Sequence, residues 1–137
     1  MIVLDASAAV DALLNLRPNA TQIQERIKRE DSGDTRETLH VPHLFTVEVL
    51  HALRRLTLAG NVSEKRGNRA VNAMLSMRLT RYPHEPFVKR IWELKENISA
   101  YDAAYIALAE ALDAPLITTD RRLEQAPTHG AKVELYG

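Results

Sequence analysis

The sequence predicts an α/β fold, a three-layer α/β/α sandwich around a central parallel sheet, in a single domain spanning residues 1–137. Three observations predict it. Short β-like apolar runs alternate with longer helical ones, the order that a parallel sheet covered on both faces requires. The length is that of one domain able to bury a core beneath helices. No internal repeat or low-complexity linker divides the chain.

In order, Ile2 to Leu4 is a brief apolar run ending at Asp5, and SAAVDALLNL then reads as a helix stopped before Pro18. Residues 20–30 (ATQIQERIKRE) are polar and helical, with Ile23 and Ile27 four apart as an apolar stripe. The Ser, Gly and Asp of DSGDTRE, residues 31–37, predict a loop. Leu39 to Val41 is a second strand, and Pro42 is expected to open a long helix through about Ala59. Gly60-Asn61 breaks that helix, and Ser63 caps another through Met77. RLTRY, bounded by Pro83, is a third strand, followed by a helix near residues 86–95. SAYDAAYIALAEAL is the clearest helix; PLITT is a strand ending at Asp120, RRLEQA a short helix and KVELY a final strand.

Composition sets bounds on function. An apolar fraction of 45% and a charged fraction of 26% are those of a soluble globular protein. Eighteen basic residues balance eighteen acidic ones, so net charge points to no partner, although clustered carboxylates can mask a basic surface elsewhere. The absence of cysteine excludes disulfides, zinc–thiolate sites and thiol catalysis. MIVLDASAAVDALL lacks the basic flank of a signal peptide, and no apolar run is long enough to span a membrane, so a cytoplasmic location is expected.

Four carboxylates bear on chemistry. Asp5 and Asp120 each stand where a strand meets a helix, and taken alone each is explained as a helix N-cap. Asp102 lies three residues after Ser99, a loose capping box, in a first turn where the helix dipole favours an acid. Glu48 has no such role. It sits well inside VPHLFTVEVLHALRR, with Leu44 and Ala52 four residues away and Phe45 and His51 three away, a mixed face that predicts partial burial. In open parallel sheets the functional crevice lies beyond the carboxyl ends of the strands. If the first strand and PLITT are neighbours, all four acids converge over that edge. Two carboxylates ~4 Å apart repel by roughly 4 kcal/mol at an effective dielectric of about 20. A divalent cation relieves that repulsion, and oxygen-only ligands favour Mg²⁺ or Mn²⁺ over zinc. Such a site suits phosphodiester hydrolysis.

IVLDASAAVDALL, VPHLFTVEVLHALRR, ENISAYDAAYIALAE and PLITTDRRL, in this order and spacing, together resemble the PIN-domain ribonucleases, and most of all the VapC-type toxins of type II toxin–antitoxin systems. The resemblance runs through nearly the whole chain and implies a sandwiched parallel sheet. It also implies an acidic quartet binding Mg²⁺ or Mn²⁺, carried over by position as Asp5, Glu48, Asp102 and Asp120. The implied activity is endonucleolytic hydrolysis of RNA, leaving 5′-phosphate and 3′-hydroxyl ends without use of the 2′-hydroxyl. Ser7, Asn97 and Thr119 match positions where the family places small polar groups near the metal. Arg121 and Arg122, beside Asp120, are the candidates to meet RNA phosphate, whereas Arg54-Arg55 and the other basic pairs read as solvated helix faces. His43, His51 and His84 read as structural or exposed; Trp92 and Tyr101 are able to stack on bases, with core or rim packing the preferred reading of both. The resemblance further implies a homodimer neutralised by a cognate VapB-type antitoxin.

Two other acid-bearing folds are disfavoured. A phosphorylated receiver needs an acidic pair after the first strand and a lysine after a late one, and Lys132 begins a strand. A haloacid-dehalogenase phosphatase needs an aspartate where Ser7 stands. The remaining alternative is a catalytically silent PIN fold that binds RNA or protein, against which the complete quartet speaks.

Overall fold

The computed structural model describes residues 1–16, 18–28, 38–127 and 129–137; the loop expected at residues 31–37 lies outside them. The elements follow the order β1 (Ile2–Leu4), α1 (Ala6–Leu14), α2 (Ala20–Lys28), β2 (Leu39–Pro42), α3 (Leu44–Leu58), α4 (Glu64–Ser76) and β3 (Leu79–Tyr82). A 3₁₀ turn (Glu85–Phe87) then leads into α5 (Val88–Glu93), α6 (Ala100–Leu112), β4 (Leu116–Thr118), α7 (Arg121–Gln125) and β5 (Val133–Leu135). The five strands form one sheet of order β3-β2-β1-β4-β5, and every adjacent pair is parallel.

β1 is the centre of that sheet, and Ile2, Val3 and Leu4 are each 0% exposed. A strand buried at consecutive positions is covered on both faces, which is why it reads as an unbroken apolar run rather than an alternation. α6 packs on β1, β2 and β4 with α5 against it, while α1 packs on β4 and against α2, α3 and α4. The result is the three-layer α/β/α sandwich. α6 is buried continuously from Ala103 to Ala109. Its alanines let the helix lie close to the sheet, and Tyr105 alone supplies a large polar-tipped side chain there.

The chain leaves β1 to build β2 and β3 on one side, then crosses to build β4 and β5 on the other. The reversal falls between β1 and β4, and a crevice opens at the carboxyl ends of strands at such a point. The register pairs Val3 with Leu116 and Leu4 with Ile117, and the Asp5 amide donates to the Ile117 carbonyl at 2.9 Å. Asp5 is therefore set beside the end of β4.

Most boundaries agree with the periodicity. Ser63 does cap α4, its hydroxyl accepting from the Arg66 amide. Pro42 is a correction. It ends β2 instead of opening α3, because pairing with β3 extends to the Pro42–Tyr82 register position. The His43 amide, which proline could not supply for itself, donates to the Tyr82 carbonyl at 2.8 Å. Of the two packing roles expected for Trp92 and Tyr101, the core is excluded, since they are 67% and 66% exposed.

β2 and β3 are further joined by a buried polar relay. The His40 ring bonds Thr38 Oγ1 through Nε2 and the Tyr82 hydroxyl through Nδ1, each at 2.6 Å. Burial pushes the His40 pKa below its ordinary 6.5, and the N-terminal ammonium adds to the effect. The unfolded chain therefore takes up this proton before the folded one does. His40 contributes its full stability above pH 6.5, and that contribution declines as pH falls toward the depressed folded value. In urea titrations, the stability difference between wild type and His40→Phe should shift against wild type between pH 7 and 5. Tyr82→Phe should cost about 1–2 kcal/mol at pH 7 by leaving Nδ1 unpartnered.

Candidate active site

Asp5 follows β1 directly and occupies the N-cap position of α1, yet its carboxylate makes no capping bond. Its Oδ2 instead accepts from Ser7 Oγ at 2.6 Å and from Thr118 Oγ1 at 2.7 Å. Capping alone thus does not account for Asp5, because the β4 hydroxyl turns the carboxylate across the strand ends. The residue is 6% exposed. Burial pushes its pKa up, the Ser7 and Thr118 bonds and the Ala6 amide hold it down, and the charge of Asp120 raises it again.

Asp120 is a cap, with Oδ1 accepting from the Arg122 amide at 2.9 Å. Arg122 also grips the carboxylate with its guanidinium, Nε to Oδ1 at 3.1 Å and Nη2 to Oδ2 at 2.8 Å. That grip holds the Asp120 pKa below the usual range. The Asp120 amide donates to Thr118 Oγ1 at 3.0 Å, so Thr118 links the two acids.

Asp102 stands in the first turn of α6, where Ser99 Oγ accepts from its amide at 3.2 Å. Burial, then the charges of Asp5 and Asp120, raise its pKa, while Arg122 and the Ser99 hydroxyl oppose the rise. Glu48 is half-buried on the flank of the Phe45–Val49–Leu53 stripe by which α3 enters the core. Its Oε1 accepts from the Tyr105 hydroxyl at 2.7 Å. Burial raises the Glu48 pKa, Tyr105 lowers it, and Asp5 and Asp102 raise it further. The Tyr105 phenol is itself pushed far up, by burial and then by the charges of Asp5 and Glu48.

These four acids line one cavity of about 600 Å³, together with Ser7, Arg122, Tyr101, Val47, His51, Ala52 and Arg55. Three expected residues are placed differently. Thr119 supplies a backbone amide to Ser7 Oγ at 3.2 Å, and the hydroxyl on Asp5 comes from Thr118. Arg121 reaches toward the Gly137 carbonyl at 3.4 Å, and Asn97 is exposed in the turn before α6; neither lines the cavity. Thr118 was not legible without the register that sets it beside Asp5. Tyr105 had a signal, standing three residues from Asp102 on one helix and so on a neighbouring face. His51 and Arg55, three and seven residues after Glu48, had the same signal.

Among the described residues, no three acids or histidines are gathered closely enough to close on one ion as the side chains stand. The chemistry of the set nonetheless fits a hard divalent cation. Burial and the charge of at least one neighbouring acid raise Asp5, Glu48 and Asp102, while among the described residues the guanidinium bonded to an acid of this set, that of Arg122, is held by Asp120. The four acids offer only oxygen donors. In chelator, the folded protein binds protons on these three groups more readily than the unfolded chain does. Their favourable contribution is present at low pH and is lost as pH rises through their raised values. Asp102→Asn should therefore raise the melting temperature of chelator-treated protein by a few degrees at pH 7, by scanning calorimetry. Added Mg²⁺ or Mn²⁺ should raise the melting temperature of wild type more than that of the variant.

Residues 2–128 match the model of the PIN domain. Ribonuclease VapC1 of Mycobacterium tuberculosis is 40% identical over 134 residues, which cover 97% of this chain and 96% of that protein. Ribonuclease VapC9 of the same organism is 45% identical over 123 residues, covering 90% and 88%. Among solved structures, PAE2754 of Pyrobaculum aerophilum superposes with a TM-score of 0.67 at 25% identity, over 96% of this chain and 82% of that one. The Rickettsia felis VapBC2 structure gives a TM-score of 0.66 at 16% identity, over the whole of both chains, and bears on the fold alone. Similarity to the VapC ribonucleases at 40–45% identity over nearly the whole chain, with a sheet whose reversal point gathers the acids, has one reading: this chain belongs to the PIN-domain family, among its VapC-type members.

Proposed function

We propose that this chain is a metal-dependent endoribonuclease toxin that hydrolyses RNA phosphodiester bonds and is neutralised by a VapB-type antitoxin. The observation that carries the reading is the convergence of Asp5, Glu48, Asp102 and Asp120 on one cavity at the β1–β4 reversal. Kinship with relatives named as VapC ribonucleases supports the activity, and the antitoxin is the partner that the VapC resemblance implies. Exposed Leu50 and Leu58 beside a groove between α3 and α4 support a protein partner as well. No helix among the described residues is long and apolar enough to cross a membrane. We take the protein to be homodimeric, as the VapC resemblance implies, and cytoplasmic, as the sequence leads one to expect.

Asp5 and Asp102 would hold a Mg²⁺ or Mn²⁺ ion, with Asp120 beside them. When bound, the ion supplies Lewis-acid stabilisation of charge on the phosphate oxygens and a more acidic water. The remaining work belongs to the protein. Ser7 and Thr118 fix the Asp5 carboxylate by two short bonds to one oxygen, so little reorganisation is needed when charge develops. Tyr105 engages Glu48 Oε1 and orients the carboxylate, leaving Oε2 to accept a hydrogen bond from the attacking water. Burial raises the Glu48 carboxyl from its ordinary value, in the direction that favours its sharing that proton.

Cleavage of a total RNA pool tests this. Antitoxin-free wild type should cut in Mg²⁺ or Mn²⁺ and stop in chelator, and Asp102→Asn should lose at least about 100-fold in rate. Fragments should carry 5′-phosphate ends. Equal behaviour of wild type and variant would assign any cutting to contamination. Absence of cutting in both, with cation binding demonstrated by calorimetry, would favour a binding-only PIN fold.

A further inference from the structure

Arg122 stands close to the acids, but its guanidinium is committed to both oxygens of Asp120. A phosphodiester entering an acidic cavity needs a cation that no carboxylate has already taken. Arg55 is such a group. It lines the cavity from α3, is exposed, and has no carboxylate partner among the described residues. A second unspent side chain lines the same cavity. Tyr101 stands on the first turn of α6 beside Asp102, with two thirds of its surface in solvent. The Tyr105–Glu48 hydrogen bond at 2.7 Å ties α6 to α3 within the site. Tyr101 lies one helical turn before Tyr105, and Arg55 lies two turns beyond Glu48, so the two continue the cavity away from that bond on different walls.

We infer that Arg55 and Tyr101 bind the RNA on either side of the scissile bond, Arg55 contacting a backbone phosphate and Tyr101 stacking on an unpaired base. An aromatic ring left in solvent beside a reacting centre offers a face that every base can use, and a free guanidinium supplies the charge that the acids deny. This rests on the ribonuclease reading. Arg54, the neighbour of Arg55, faces the α3–α4 groove instead and serves as an internal control.

The test is the anisotropy of a fluorescein-labelled single-stranded RNA, titrated with the full chain over a range of salt. Ca²⁺ replaces the catalytic ion to stall hydrolysis. Arg55→Ala should flatten the dependence of log Kd on log salt by about 0.7, the loss of one phosphate contact on a single strand. Arg55→Lys should restore that slope, and Arg54→Ala should keep it. Tyr101→Ala should weaken binding about tenfold with the slope unchanged, and Tyr101→Phe should recover the loss. Both sites are exposed, and unchanged melting curves would exclude misfolding as the cause. If wild type binds and cuts RNA while Arg55→Ala keeps the wild-type slope, or Tyr101→Ala the wild-type affinity, the inference is overturned alone. A wild type that neither binds nor cuts RNA overturns the ribonuclease reading and this inference with it.

Discussion

Parallel pairing between β1 and β4 is the constraint on which the candidate site depends. These strands are 110 or more residues apart in the chain and adjacent in the sheet, and their register sets Asp5 against the end of β4. From that single alignment Thr118 reaches Asp5 Oδ2 and Ser7 receives the Thr119 amide, and the local bond from the Asp120 amide to Thr118 joins Asp120 to them. A register slip of one residue would turn the Thr118 hydroxyl to the other face of the sheet and leave the Asp5 carboxylate buried without it. β1 tolerates no such slip, because its three residues are wholly buried among helices on both sides.

The fold places charge where electrostatics opposes it. Burial and mutual repulsion raise Asp5, Glu48 and Asp102, and the opposing forces are short hydrogen bonds from Ser7, Thr118 and Tyr105 together with one exposed guanidinium. Those hydrogen bonds hold the acids in place without neutralising them. An arrangement that costs stability and is maintained by a rigid core is characteristic of a site built to receive a counter-charge. The remaining walls are as informative. Cations and aromatics on α3 and α6 face the same opening, so binding and chemistry draw on the two helices that the Tyr105–Glu48 bond ties together.

Much of this was legible along the chain. Alternating apolar runs and amphipathic segments give every described strand and α-helix in its correct order, because strand and helix periods are local properties of side-chain direction. Glu48 is conspicuous as an acid inside an apolar helix, and its half-burial follows from its place beside the Phe45–Val49–Leu53 stripe. Pro42 was misplaced because a proline suits both a helix start and a strand end, and the deciding contact is with Tyr82, forty residues away. Thr119 was named by family position and Thr118 was not considered: two adjacent threonines face opposite ways in a strand, and only the partner strand says which way is inward.

The sequence by itself determined the fold class, the four acids, their oxygen-only chemistry and the family resemblance that joins them, since each depends on residue type, period or order. Tertiary structure decided which groups meet. It set Asp5 on Thr118, bound Arg122 to Asp120, brought Tyr105 to Glu48, and left Arg55 and Tyr101 exposed at the cavity rim. Those contacts join residues separated by up to 113 positions, apart from the local Arg122 pair, whose outcome is a choice of rotamer. Pairings of that kind follow from register and packing over the whole sheet, which no local stretch of chain encodes.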